Sequence, residues 1–257
     1  MPIHPTAVIS DHAQIAPDVE IGPYCIIEAG VTVGTGCVLK AGVHLLGEVT
    51  LGSHNTIHSY AVIGDTPQDL SHTSEIQSTV IIGDHNIIRE HVTIHRGAKS
   101  GGITRLGDHC LLMATSHIGH DSTVGDHVIL ANGTMLGGHV SVGDRVFLGG
   151  GTGVHQLVRI GSYAMSQGNS SISQDVPPYC TCSQLNQLRA LNVVGLRRAG
   201  FTTAQRAELK TLFTLLFQSG KNLSDALCEA ERSTWSPTAL LLLNAAKSPS
   251  RKGIMRR

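Results

Sequence analysis

The chain has 257 residues, of which 41% are hydrophobic, 15% charged and only 4% aromatic, so it can bury a large core and that core must be aliphatic. Nineteen basic residues balance nineteen acidic ones for a formal net charge of zero, which argues against broad electrostatic docking on duplex nucleic acid or an anionic membrane. An acidic partner must therefore meet a local basic patch.

The opening MPIHPTAVIS has neither the basic start nor the apolar stretch of a secretory signal, and the longest apolar run, ALLLL at 239 to 243, is too short to span a bilayer. A cytoplasmic protein without a transmembrane segment is expected. Cys25, Cys37, Cys110, Cys180, Cys182 and Cys228 form no CxxC pair, the pattern of free thiols in a reducing compartment.

From Ile3 the sequence counts in sixes: Ile3, Ile9, Ile15, Ile21, Ile27, Val33, Leu39, Leu45, Leu51, Ile57 and Ile63 each open a hexad. The register breaks over DTPQDLSHTSEIQST, returns at Ile82, Ile88 and Ile94, breaks again over GAKSGGITR, and then runs from Leu106 to Ile172 with one polar exception, Ser166. This predicts a solenoid over residues 1–182 with two inserted loops, about 69–81 and 97–105. The second place of a hexad is often Gly and the fifth is small or β-branched, as in IGPYCI and VGDRVF, which suits a parallel β-helix of stacked coils. An α-helix would carry a six-residue repeat around its 3.6-residue turn and keep no buried face. Cys25, Cys37 and Cys110 take the fifth place and are read as small packing groups.

After QDVPPY the hexads stop, and residues 183–257 are predicted to form an α-helical domain. Thr202 or Thr203 can cap a helix through AQRAELKTLFTLLFQSGK, where Leu209, Leu212, Phe213, Leu216 and Phe217 share one face. Two further helices are predicted over 224–232 and 237–247. The tail SPSRKGIMRR is expected to be mobile.

The stretch HIGHDSTVGDHV, 117–128, concentrates His117, His120 and Asp121. Three hexads make an eighteen-residue coil, which stacks His120 on Gly138 and Asp121 on His139. A neutral histidine can deprotonate a hydroxyl, a carboxylate can orient it, and a glycine N–H can meet an oxyanion, which are the parts of acyl transfer. Most of the fifteen histidines have no such company: His85, His109 and His127 repeat the tripeptide GDH at a surface corner and are read as structural. The pairs His91 with His95, or His117 with His120, could ligate a metal as trimeric β-helix carbonic anhydrases do. The Gly-rich faces and helical tail do not suit that family, so neither metal nor cofactor is expected.

With these hexads, the motifs TIHRG (93–97), SHIGHD (116–121), LGGHVSVGD (136–144), VHQ (154–156), QDVPPY (174–179) and GLRRAGF (195–201) resemble the hexapeptide-repeat O-acyltransferases that begin lipid A synthesis, over nearly the whole chain. The resemblance implies an all-β left-handed parallel β-helix with a C-terminal α-helical region, against the general right-handed preference of parallel crossovers. It implies a homotrimer with active sites between subunits, transferring an (R)-3-hydroxyacyl group from acyl carrier protein to the glucosamine 3-hydroxyl of UDP-N-acetylglucosamine. Carried over by motif, His120 is the general base, Asp121 orients it and Gly138 supplies the oxyanion N–H. His117, His139, His155 and Gln156 line the sugar and diphosphate region, Asp69 contacts the sugar from a neighbouring subunit, Asn192 and Arg198 lie near the nucleotide, and Gly168 ends the acyl groove.

Arg197, Arg198, Arg206 and Lys210 offer either a patch for the acidic carrier protein or a solvated helix face. Two positions depart from the family pattern: Ser71 stands where many relatives have Lys, and Ala199 where they have a third basic residue. A UDP-sugar with a 3-amino group is the rival acceptor. A coenzyme A-dependent sugar acetyltransferase shares the repeat but not the helical tail, and the lipid A N-acyltransferase needs a uridine-binding domain ahead of the repeats.

Overall fold

The computed structural model describes residues 3–70, 72–73 and 75–256; the departure at Ser71 lies outside the described residues. The hexads become coils of a left-handed parallel β-helix. Among the described residues there are twenty-seven strands, most of them two residues long, forming sheets of nine, eight and ten strands. Neighbouring coils pair in parallel register, as Val8–Ile9 with Ile26–Ile27 and His117–Ile118 with Met135–Leu136. The final strand, Gln187–Leu191, pairs antiparallel with Cys180–Ser183, so the ten-stranded sheet runs on to Leu191.

The hexad-opening residues Ile21, Ile27, Leu39, Leu45, Ile57, Ile63, Ile88, Ile94, Leu112 and Ile118 all point inward and are almost wholly buried. Each such side chain contributes about 1.5–3 kcal/mol, against about 1–2 kcal/mol per residue of backbone ordering, so one coil is stable only on its neighbours. Cys25, Cys37 and Cys110 are buried free thiols in the fifth place, a position shared by buried Ser116, Ser122, Thr134 and Thr152. The polar exception Ser166 is also fully buried. Its hydroxyl accepts the Gly149 N–H at 3.1 Å and lies 3.0 Å from the Thr152 hydroxyl, which satisfies it inside the prism.

Two corners of the prism use the same backbone differently. Along one, four consecutive coils carry Asp in the hexad's third place, and each carboxylate accepts the third-place N–H of the coil below: Ser53 onto Asp84, Asp84 onto Asp108, Asp108 onto Asp126 and Asp126 onto Asp144. The adjoining His54, His85, His109 and His127 adopt positive φ and stack their rings at 4.9–5.0 Å. His54, from a GSH tripeptide, thus joins the GDH histidines His85, His109 and His127 in a structural stack. The corner with His120, Gly138 and Gln156 in the third place has no aspartate ladder.

Four helices follow: α1 (Val193–Arg198), α2 (Thr203–Phe217), α3 (Leu223–Ala230) and α4 (Pro237–Lys247). The six residues of α1 show no apolar period, so the sequence pattern missed it; the Asn192 side chain caps it. Thr202 and Gln205 form a capping box on α2, Asn222 caps α3, and Ser236 precedes Pro237 at the start of α4. Leu209, Leu212, Phe213 and Leu216 of α2 are buried, with α2 packed against α3 and α4. None of the described helices is long and apolar enough to cross a membrane.

The expectation of a mobile tail is corrected. Asp175 N donates to Gly253 O at 2.9 Å, Met255 N to Asp175 O at 2.8 Å, and Leu188 N to Arg256 O at 3.2 Å. The Met255 side chain is fully buried, and the Arg159 guanidinium donates to both Asp175 and Pro249 O. The tail's polar composition hid one apolar anchor and an exposed strand edge that needed a partner.

Candidate active site

The nine-stranded sheet sets the outward-facing residues Thr93, His117, Met135, Gly153 and Ser171 in one row. A cavity of about 590 Å³ opens over this row, lined among others by Gln68, His95, His117, His120, Gly138 and His155. Gly153 widens it, since a Cβ there would touch nothing within 4 Å.

His120 precedes a corner residue held at φ 58°, Asp121, and its Nδ1 lies 2.9 Å from the Asp121 carboxylate. That carboxylate also accepts the Ala98 N–H at 2.9 Å, while the Asp121 N–H donates to Thr104 Oγ1 at 2.8 Å. A non-glycine residue in the left-handed region costs about 1–2 kcal/mol, and here three hydrogen bonds offset it. The next coil up places Gly138 over His120: a Cβ at Gly138 would lie 2.4 Å from His120 Nε2. His120 is thus held at Nδ1 and turned with Nε2 toward the Gly138 backbone.

At the aspartate corner the coil above caps the third-place N–H of Ser53, Asp84, Asp108 and Asp126 with a carboxylate, and that of Asp144 with the Ser162 hydroxyl. Above Gly138 stands Gln156, and among the described residues the Gly138 N–H has no hydrogen-bond partner. An unmatched N–H beside a histidine–carboxylate pair is suited to receive an oxyanion. The third places of successive hexads, Asp at 84, 108, 126 and 144 but His120, Gly138 and Gln156 here, would have shown this in the sequence.

Two further histidines of the cavity, His117 and His95, are held toward the neutral form by burial. His117 is pushed down from 6.5 to about 4 by burial first and by His95 and His120 next, and its Nδ1 lies 2.7 Å from Thr93 Oγ1. His95, which the sequence reading did not place in the site, is 7% exposed, is likewise shifted down by burial, and stands edge-on to His117. Its coil pairing crosses the second loop, so the eighteen-residue count could not locate it. The unfolded chain holds His117 near 6.5 and the folded chain near 4, so the unfolded state binds more protons between those values. The contribution is complete above about pH 6.5 and is lost as pH falls toward 4. In urea titrations, His117→Gln should show a smaller loss of stability from pH 7 to pH 5 than wild type; an unchanged difference would overturn this account.

His139 Nε2 lies 3.8 Å from the Asp121 carboxylate, and His120, Asp121 and His139 offer ligand atoms all within 4.8 Å of one another. This is the trio that could hold a cation. Of the pairs weighed from sequence, His91 stacks on Tyr60, away from His95. His155 and Gln156 line the upper end of the cavity.

Four expected site residues lie elsewhere in the single chain. Asp69 is exposed in the first loop, where its carbonyl accepts the His72 N–H, and it is Gln68 that lines the cavity. Gly168 sits at another corner, over Gly150. Asn192 caps α1 and donates to Tyr163 O, and with Arg198 it borders a second cavity of about 690 Å³ beside Phe147 and Met165 of the ten-stranded sheet. In the basic cluster, Arg206 folds back to donate to Phe201 O, while Arg197, Arg198 and Lys210 are exposed.

Comparison with known proteins agrees with this architecture. Residues 175–255 match the family described as Udp N-acetylglucosamine O-acyltransferase, domain 2, and residues 3–35 and 103–138 match the bacterial transferase hexapeptide repeat. The acyl-[acyl-carrier-protein]--UDP-N-acetylglucosamine O-acyltransferase of Syntrophobacter fumaroxidans is 41% identical over 259 residues, with all of both chains covered. The like-named enzyme of Campylobacter concisus is 44% identical over 87% of this chain and 86% of its own. The solved structure of LpxA from Acinetobacter baumannii superposes with a TM-score of 0.93 at 39% identity, covering 98% of this chain and 99% of that one. Repeat, corner geometry and helical tail thus converge: the chain is an acyltransferase and belongs to the acyl-[acyl-carrier-protein]--UDP-N-acetylglucosamine O-acyltransferase family.

Proposed function

We propose that the protein transfers an (R)-3-hydroxyacyl group from acyl carrier protein to the glucosamine 3-hydroxyl of UDP-N-acetylglucosamine, the first step of lipid A biosynthesis, in the cytoplasm. The observation that carries the mechanism is the stack of Asp121, His120 and the unmatched Gly138 N–H at one corner. His120 Nε2 removes the hydroxyl proton as the sugar oxygen attacks the thioester carbonyl. The tetrahedral oxyanion receives the Gly138 N–H. Collapse breaks the carbon–sulfur bond, and the departing thiolate of the carrier protein takes the proton back from His120, so no net proton is consumed. Asp121 keeps the ring in the tautomer with Nε2 free and stabilises the imidazolium while it exists.

His117, His139, His155 and Gln156 are assigned to the sugar nucleotide, and no cofactor is required by this route. Asn192 and Arg198 open on a different sheet from His120. Their assignment to the nucleotide, like that of Asp69 to the sugar, therefore requires a second chain, which favours the homotrimer with shared sites. Gly168 is assigned to the end of the acyl groove in that assembly. The two structural regions are taken as a β-helix over 1–182, whose sheet carries on to Leu191, and a helical domain over the rest.

Mass spectrometry of products from purified protein, UDP-N-acetylglucosamine and a ladder of (R)-3-hydroxyacyl carrier proteins tests the proposal. A 3-O-acylated sugar nucleotide is expected. Consumption only of a 3-amino sugar nucleotide, or of acetyl-coenzyme A, would overturn the acceptor or donor assignment.

A further inference from the structure

The cavity over the nine-stranded sheet has no lysine or arginine among its described lining residues. Its histidines His95 and His117 are held neutral by burial. A sugar nucleotide brings a diphosphate, and a hydrogen bond from a cation to such an anion is about twice as strong as one from a neutral donor. The C-terminal tail supplies what the sheet lacks. Lys252 Nζ lies 3.1 Å from Nδ1 of His155, a lining residue at the upper end of the cavity.

This placement is built by the fold. The tail is fastened on both sides of Lys252, by Arg159 to Pro249 O, by Asp175 to Gly253 and Met255, by Leu188 to Arg256 O, and by the buried Met255 side chain. Gly253 at φ 73° turns the chain immediately after Lys252. The ammonium also acts on the histidine. A lysine only donates, so Nδ1 of His155 accepts and the ring proton sits on Nε2. The Gln156 carbonyl, 3.2 Å from the same Nδ1, can accept but cannot donate, so it loses the competition to Lys252.

We infer that Lys252, delivered by the anchored tail to His155, is a substrate-binding residue for the diphosphate of the sugar nucleotide and sets His155 to donate from Nε2 to the same group. The inference rests on the proposed acceptor, and it deepens that assignment by naming the cation of the site in this chain. It gives the C-terminal tail a role in substrate binding as well as in closing the end of the sheet.

Isothermal titration of UDP-N-acetylglucosamine and steady-state kinetics of wild type, Lys252→Met and Lys252→Arg test it. The methionine keeps the apolar stem and removes the charge. A charged hydrogen bond at a half-exposed site predicts a Kd and KM for the sugar nucleotide raised about tenfold in Lys252→Met, with kcat and the KM for acyl carrier protein little changed and the melting temperature kept. Lys252→Arg should restore most of the loss, and the affinity of Lys252→Met should depend less on salt than that of wild type. Equal affinity in wild type and Lys252→Met, or no recovery in Lys252→Arg, would overturn the inference alone. Absence of sugar-nucleotide binding by the wild type would overturn it together with the acceptor on which it rests.

Discussion

His120→Ala should lower kcat/KM by about 10² to 10⁴, with the fall almost entirely in kcat and with the melting temperature kept. The imidazole makes one side-chain hydrogen bond, to Asp121, and projects into the cavity, so its removal leaves the aliphatic stack intact. A loss of equal size in kcat and kcat/KM would mark an interaction made only in the transition state, as a proton transfer requires. Asp121→Asn is a different perturbation, because the carboxylate also holds the Ala98 N–H and with it the second loop. That variant should lose activity and also melt lower. If His120→Ala kept its rate within about tenfold, below the usual range for a general base, the base would have to be another group. His139 would then be the first to test, with Nε2 3.8 Å from the same carboxylate.

How much of this was legible in the sequence depended on whether the eighteen-residue count was unbroken. From Ile3 to Ile63 and from Leu106 onward it was, so the buried fifth-place cysteines, His120 over Gly138 and Asp121 against His139 could all be placed from spacing alone. Across the loops the spacing changes: Val62 pairs with Thr93 and Thr93 with His117. No periodicity sets the length of an insertion, and His95, Thr93 and Gln68 escaped for that reason. The unmatched Gly138 N–H was legible in principle, as a glycine where other hexads carry aspartate, but its meaning depends on the capping pattern of the neighbouring corner. The tail failed for another reason. Residues 248–256 are polar and rich in turn formers, and only the burial of Met255 and the free edge at Asp175 turn them into an ordered segment.

Helix prediction divided along the same line. Helices α2 and α4 carry caps and an apolar face of three or more turns, and their sequence signals are physical causes of the helices. Helix α1 is too short to show a period and exists because Asn192 caps it and Leu196 is buried beneath it. The basic residues it ends on, Arg197 and Arg198, could therefore be named from sequence but not oriented.

Gly138→Ala separates chemistry from stability at one atom. The added methyl carbon would sit 2.4 Å from Nε2 and 2.5 Å from Cε1 of His120, with no backbone atom nearer than these. A side-chain tip can move where backbone cannot, so the coil should fold and the imidazole should rotate away from the Gly138 N–H. Base and oxyanion donor would then be disturbed together, and the expected loss is about 10² to 10³ in kcat, with the melting temperature near that of wild type. Gly137→Ala is the instructive contrast. A Cβ there meets Gln156 N at 2.8 Å and Val154 O at 3.1 Å, both backbone atoms of the coil above. Relief requires separating two coils, so this variant should melt clearly lower, as overpacking typically costs about 1–3 kcal/mol. Thermal melts beside single-turnover rates distinguish the two variants. Should Gly138→Ala retain full activity, neither the displacement of His120 nor the use of the Gly138 N–H could stand, and the oxyanion would have to be met from another donor at the same corner.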